Sequence, residues 1–255
     1  MSPAGRGGRL GHPRLHFQLI GSTNDRAREL ALAGAPHGTL VTASEQSAGR
    51  GRQGRSWAAP AGSSLLMSLL IRWSETAPAP TLLPLIAAVA ACDAIGPEPL
   101  IKWPNDIVIE RGEGRLAKLA GILVEGRPQE NWAVIGIGVN VAVELDRLPE
   151  ELRGSAASLG RGPEALEPLL EGLLGALETR LCQPTAGLLA DWSARDALRG
   201  RSVHWGAPGV SEPGHRGVAQ GVDGTGRLVV ALDSGGRTTL EAGEVHLAIP
   251  GGPAA

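Results

Sequence analysis

The sequence of 255 residues has no tyrosine and one phenylalanine, so Leu, Val, Ala and Trp must fill its interior. Cysteine is scarce too. Cys92 and Cys182 both sit in apolar helical patterns, which predicts free buried thiols and no bridge. Cys and His show no metal-ligand spacing. A basic excess is also missing: the formal net charge is −2, which argues against a dedicated nucleic-acid binder but leaves room for a local basic patch. No apolar stretch is long enough to span a membrane. Met1 to Arg14 is rich in Gly, Pro and Arg and lacks the hydrophobic run of a signal peptide. These absences predict a soluble, cytoplasmic protein.

What the sequence has in abundance is glycine, 37 residues, and it is concentrated tellingly. Gly49-Arg50-Gly51-Arg52-Gln53-Gly54-Arg55-Ser56-Trp57 interleaves three glycines with three arginines. Glycine lets a backbone approach a ligand closely. Arginine offers a planar fork of donors to phosphate or carboxylate. The run suits an anion-wrapping loop, a solvated surface loop, or an RGG-like segment that binds RNA loosely.

Residues 1–13 read as a flexible tail. Leu15 to Leu19 alternates as a strand. Ser22-Thr23-Asn24-Asp25 then reads as a helix N-terminus, with Ser22 as cap; the same polar groups could hold a ligand. Gly38–Ser44 and Ser64–Ile71 read as strands, the second buried on both faces. Between them the loop to about Gly62 has the length of a lid or binding loop. Residues 74–80 are a connection, and Thr81–Ile95 is an amphipathic core helix.

Leu100–Ile109 reads as a strand broken at Pro104, where a bulge would turn Lys102, Asn105 and Asp106 towards one place. A plain Pro-Asn-Asp turn is the alternative. Asp106 could hold Mg²⁺ with a nucleotide's phosphates. Residues 111–116 form a hairpin turn. Lys118–Glu125 and Trp132–Val141 read as strands, with Gly121, Gly136 and Gly138 leaving room for a ligand. The second is taken as an edge strand that could support a homodimer. Helices follow at 164–181 and 185–198, with Trp192 in the core. After Gly200, short strands at 202–205, 216–222, 227–232, 238–242 and 245–247 predict a small antiparallel barrel of SH3-like size.

Ser22–Asn24, Gly49–Trp57, Lys102–Asp106 with Lys118–Glu125, and Gly136–Asn140 together resemble the signature of the biotin protein ligases. The resemblance spans about residues 15 to 249. It implies an α+β fold: a mixed-sheet catalytic domain with flanking helices, class II synthetase-like, at 14–199, an SH3-like domain at 200–250, and a tail at 251–255. It implies formation of biotinyl-5′-AMP from biotin and ATP with Mg²⁺, then transfer of biotin to a lysine of a biotin carboxyl carrier protein of acetyl-CoA carboxylase or another biotin-dependent carboxylase. By the same resemblance Arg52, Lys118 and Asp106 are catalytic, with Asp106 the candidate Mg²⁺ ligand. Ser22, Thr23, Asn24, Gln46, Arg50, Gly51, Arg52, Lys118 and Gly121 bind biotin. Arg55, Trp57, Lys102, Asn105, Asp106 and Asn140 bind ATP or the adenylate. The Gly/Arg loop is expected to be disordered without ligand and to order on binding.

Only about fourteen residues precede the first strand, so the DNA-binding domain of larger members, and specific DNA binding, are not expected. Gln53 stands where many relatives carry arginine. A lipoate or octanoate ligase is the rival enzyme reading, and an RNA-binding adaptor the non-enzymatic one.

Overall fold

A computed structural model describes residues 10–73, 78–206, 215–241 and 246–247. Residues 1–9 and 251–255 of the expected tails, 74–77 of the connection and 242–245 near the last strand lie outside the described residues.

The chain opens with β1 (Arg14–Ile20), α1 (Thr23–Leu32) and β2 (Leu40–Gln46). Leu10, expected in the tail, is buried, and its N–H donates to Glu178 Oε1 at 3.1 Å. Ser22 caps α1 as its sequence predicts, its Oγ accepting from Asp25 N, and Gly34 takes φ +84° beyond the helix end. The helix supplies the crossover that makes β1 and β2 parallel. Ala27 and Ala31 of α1 pack on Val41, Leu70, Trp132 and Val134.

Next come β3 (Ser64–Arg72), α2 (Leu83–Ile95), β4 (Leu100–Lys102), β5 (Asp106–Arg111), β6 (Arg115–Arg127) and β7 (Trp132–Asn140). They complete a seven-stranded sheet in the order β1-β2-β3-β7-β6-β5-β4, antiparallel except for β1–β2. After the short α3 (Glu150–Arg153), helices α4 (Leu166–Leu181) and α5 (Thr185–Ser193) pack on α2. The second helix stops at Ser193, short of the expected residue 198. Wedged between the sheet and these helices, α2 is buried nearly all round. It is therefore a core helix apolar on every side, and not the amphipathic helix its spacing suggested.

Three further readings are corrected. β7 lies between β3 and β6, with ladders on both sides, so it is no edge and offers no dimer strand. Residues 100–109 are not one bulged strand: β4 and β5 form a hairpin with Lys102 opposite Asp106, and Trp103-Pro104-Asn105 make its turn, where Pro104 owes no ladder donor. Cys182 is exposed at the end of α4; Cys92 is buried, and burial foremost pushes its thiol pKa up to about 12.

The last unit comprises β8 (Ser202–Trp205), β9 (His215–Val222), β10 (Leu228–Leu232), β11 (Arg237–Leu240) and β12 (His246–Leu247). They form a five-stranded antiparallel sheet, consistent with the SH3-like expectation. Its residues Val203, Ala219, Leu228 and Val230 belong to the same apolar core as α2 and the large sheet. Trp103 is 2% exposed and donates from Nε1 to Gly226 O at 3.1 Å, which ties the β4–β5 turn to the turn before β10. Among the described residues, no helix is long and apolar enough to cross a membrane.

Candidate active site

Beyond the N-terminus of α1, the α1 face of the large sheet is covered by the Gly/Arg loop, and a cleft lies between them. Its floor is set by strand register. Asp106, Gly121, Gly138 and Leu66 stand in one row across β5, β6, β7 and β3; Leu123, Gly136 and Ser68 stand in the next. The glycines are required by what lies on them. A Cβ on Gly138 would come within 2.7 Å of Trp57 Cε2, and one on Gly121 within 2.9 Å of Trp57 Cζ3. A Cβ on Gly136 would strike Asn24 Oδ1. The room these small residues make is filled first by Trp57 and Asn24.

The loop is a folded hairpin. Gly51 N donates to Arg55 O at 2.7 Å and Trp57 N to Gly49 O at 2.9 Å. Gln53 and Gly54 turn the tip with φ of 57° and 76°. Gly49 is pressed against the Trp57 carbonyl and 3.0 Å from Gln46 Nε2, measured from where its Cβ would stand.

One end of the cleft is a polar network. Gln46 Oε1 accepts from Thr23 N at 2.7 Å and from Thr23 Oγ1 at 3.0 Å. Ser68 Oγ lies 2.8 Å from Thr23 Oγ1 and 2.6 Å from Asn24 Oδ1. Asn24 Nδ2 donates to Leu123 O and, at 3.0 Å, to Glu125 Oε2. Glu125 Oε1 is 3.1 Å from Arg50, whose guanidinium also meets Asp25 Oδ1 at 2.6 Å. The hydrogen bond to Asp25 is the main reason the Arg50 pKa is raised.

The other end gathers cations: Arg52, Arg55, Lys102 and Lys118, with one carboxylate, Asp106, among them. Arg52 donates to Asn105 Oδ1 at 3.3 Å, and Asn105 Nδ2 is anchored to Ile122 O at 2.8 Å. Lys118 Nζ lies 2.7 Å from Asp106 Oδ1 and 5.6 Å from the centre of the Trp57 ring. Lys118 reaches this side because β6 carries a bulge: Ile107 pairs with Ala120 but Val108 with Lys118. Without the extra residue, positions 118 and 121 would point to opposite faces. Burial lowers the pKa of Lys102; nearby Asp106 opposes this, and Lys118 and Arg55 add to it. Arg52 is likewise lowered by burial first, with Asp106 opposing and Arg55 adding. Half-buried cations in excess of acids make a site for an anion with several negative oxygens.

The cleft thus brings together every sequence-predicted site residue except Asn140. Asn140 is 8% exposed and turned into the interior, where it bonds Ser64 Oγ at 3.3 Å and Ala157 O at 2.9 Å. It braces β3 and β7 against the following segment and does not bound the cleft. Sequence reasoning missed Asp25, Ser68 and Glu125. For Ser68 the signal was a serine inside an otherwise apolar strand; for the two acids it was a pair of carboxylates available to an arginine-rich loop. Among the described residues, no group of three or more His, Cys, Asp or Glu could hold a metal ion.

The model of the biotin/lipoate A/B protein ligase family matches residues 16–141. A biotin–[acetyl-CoA-carboxylase] ligase of Mycobacterium tuberculosis is 36% identical over 244 residues, covering 89% of this chain and 86% of the relative. A bifunctional ligase/repressor of Bacillus spizizenii is 40% identical over 159 residues, covering 60% of this chain but only 47% of the relative, so the chain spans about half of that protein. In fold the chain is similar to the biotin protein ligase of Aquifex aeolicus solved with biotin and ATP, with TM-score 0.72 at 24% identity over 93% of this chain and 99% of that one.

Proposed function

The chain belongs to the biotin protein ligase family, and on that premise we propose that it activates biotin with ATP and passes the biotinyl group to a lysine of a carrier domain of a biotin-dependent carboxylase. The single observation that supports this best is the division of one cleft. A neutral polar network of Thr23, Asn24, Gln46 and Ser68 stands at one end, and Arg52, Arg55, Lys102 and Lys118 at the other. An uncharged, hydrogen-bonding head suits the first and a triphosphate the second.

In the first step a biotin carboxylate oxygen attacks the α-phosphorus of ATP, and pyrophosphate leaves with its electron pair. Both reactants are anions, and the four cations offset their repulsion and the charge that builds on the phosphoryl oxygens. Trp57 and the loop keep water from the mixed anhydride. In the second step the neutral ε-amine of the carrier lysine attacks the acyl carbon, AMP leaves, and the amine gives up a proton. Among the described residues, Asp106 is the carboxylate that lines the cleft. The chain's own nucleophiles take no part.

Mg²⁺ would arrive with the triphosphate. A lone carboxylate whose Oδ1, though buried and close to Lys118, lacks a well-aligned hydrogen bond is a fitting protein donor for a cation that fills its shell with phosphate oxygens and water. Asp106 would hold the ion, whose positive charge would offset that of the leaving pyrophosphate.

The test is biotin-dependent exchange of labelled pyrophosphate into ATP, with lipoate in parallel. Exchange with biotin alone is expected. Exchange with lipoate alone would move the substrate within the family, and exchange with neither acid in folded protein would sink the reading.

A further inference from the structure

The three loop arginines are not equivalent. Arg52 and Arg55 line the cationic end of the cleft, whereas Arg50 is engaged by acids of the protein itself. Its partners come from two elements, Asp25 from α1 and Glu125 from β6. Arg28 completes the cluster, 3.3 Å from Asp25 and 3.6 Å from Glu125. Two cations and two anions balance, so Arg50 brings no net charge to an anionic ligand. It fastens the base of the loop to the body.

Glu125 does more than balance charge. Its Oε1 receives Arg50, while its Oε2 receives Asn24 Nδ2. Asn24 is 4% exposed, and its Oδ1 meets Ser68 Oγ at 2.6 Å. One carboxylate thus joins the polar pocket to the loop fastening. We propose that Glu125 is a positioning residue that couples occupancy of the polar end of the cleft to closure of the Gly/Arg loop, with Arg50 as the latch it holds. The inference rests on the proposed reading of that end as the biotin-head pocket. A ligand that reorients the Asn24 amide changes what Oε2 receives, and the carboxylate passes that change to Arg50. Asp25 holds the same arginine but makes no bond to Asn24, so it fastens without coupling.

Glu125→Gln separates the two roles without changing shape. A glutamine has one acceptor oxygen. If it faces Arg50, its NH₂ meets the Asn24 NH₂, donor against donor; turned over, it meets Arg50 with a donor. Either way the bridge is broken. Asp25→Asn weakens the latch and spares the bridge.

The experiment measures trypsin cleavage inside the loop, with and without saturating biotin, for wild type, Glu125→Gln and Asp25→Asn, alongside pyrophosphate exchange and a thermal melt of each. In wild type, biotin should slow loop cleavage roughly tenfold or more, the size of one charge-assisted hydrogen bond made or lost. Glu125→Gln should keep less than a third of that protection and show a biotin KM raised about tenfold with a smaller change in kcat. Asp25→Asn should be cut faster in both states with the ratio retained. Wild-type protection retained in Glu125→Gln overturns the coupling. So does an equal loss of the ratio in Asp25→Asn, which would reduce the cluster to general charge balance. Failure of wild type to exchange pyrophosphate with biotin would instead bring down the functional reading beneath it.

Discussion

Asp106 sits directly across the β4–β5 hairpin from Lys102, yet its carboxylate reaches the other way, to Lys118 at 2.7 Å on the neighbouring strand. That pair is partly exposed, with side chains 40% and 25% accessible for Lys118 and Asp106, so it contributes at most about 1 kcal/mol to stability. Its place is at the anion end of the cleft. Replacing Lys118 with alanine should therefore leave the melting temperature within a few degrees of wild type and lower pyrophosphate exchange by at least about 100-fold. Arg52→Ala should behave alike. Normal turnover in either variant would remove these residues from the chemistry.

Gly138→Ala adds one methyl group where Trp57 Cε2 would be 2.7 Å away. The strand backbone at 138 is central and cannot yield, so the indole must lift. We expect exchange activity to fall roughly 10-fold or more, with a red-shifted, more quenchable tryptophan signal and little loss of fold. An unchanged emission spectrum with full activity would show that Trp57 need not lie on this floor.

Asn140→Ala should give the opposite pattern. It removes a buried amide that bonds Ser64 and Ala157, and leaves their groups unpaired. A loss of about 2 kcal/mol in denaturant unfolding is expected, while kcat of the folded fraction holds near wild type. A selective loss of ATP affinity would return Asn140 to the nucleotide site.

His37 predicts a pH effect remote from the cleft. Burial foremost lowers its pKa, and Nδ1 accepts from the Arg72 N–H at 3.1 Å, a bond it can make only while that nitrogen is unprotonated. The unfolded chain then binds this proton at a higher pH than the folded one. The stability tied to neutral His37 is complete above the ordinary value of about 6.5 and is lost as pH falls below it. His37→Asn, which keeps an acceptor near Nδ1, should shrink the drop in melting temperature between pH 7.5 and 5.5. An identical drop in the variant would assign the effect elsewhere.

Much of this was legible in the residues. Local signals were strong where one element decides: the Ser22 cap, the helix at 164–181, the glycines of the loop. Most of the cleft residues were legible through the four stretches that carry the family resemblance, with the Gly/Arg loop and the Lys102–Asp106 block also readable from their chemistry alone. What failed was whatever depends on partners distant in sequence. Trp132–Asn140 is an apolar run in either a central or an edge strand, and only the pairing of β3 and β6 to its two sides distinguishes them. The even burial of α2 needs α4 and α5, far along the chain, to cover its outer side. Asn140 and Gly138 share a face of β7, two residues apart; Asn140 is kept out of the cleft because the segment at Ala157, whose carbonyl it meets, covers it, and no local pattern announces that. The Lys118 bulge is a one-residue register shift, and alternation alone would have sent that lysine to the wrong face.

The apolar interior shared by α2 and the small sheet bears on how the chain unfolds. Val203, Ala219, Leu228 and Val230 lie far along the sequence from Leu10 and Leu40, yet they belong to the same core. Until residues 203–230 join it, α2 has a bare flank, and the Trp103 indole has no Gly226 carbonyl to meet. The protein should melt in a single calorimetric peak, its two sheets inseparable as folding units.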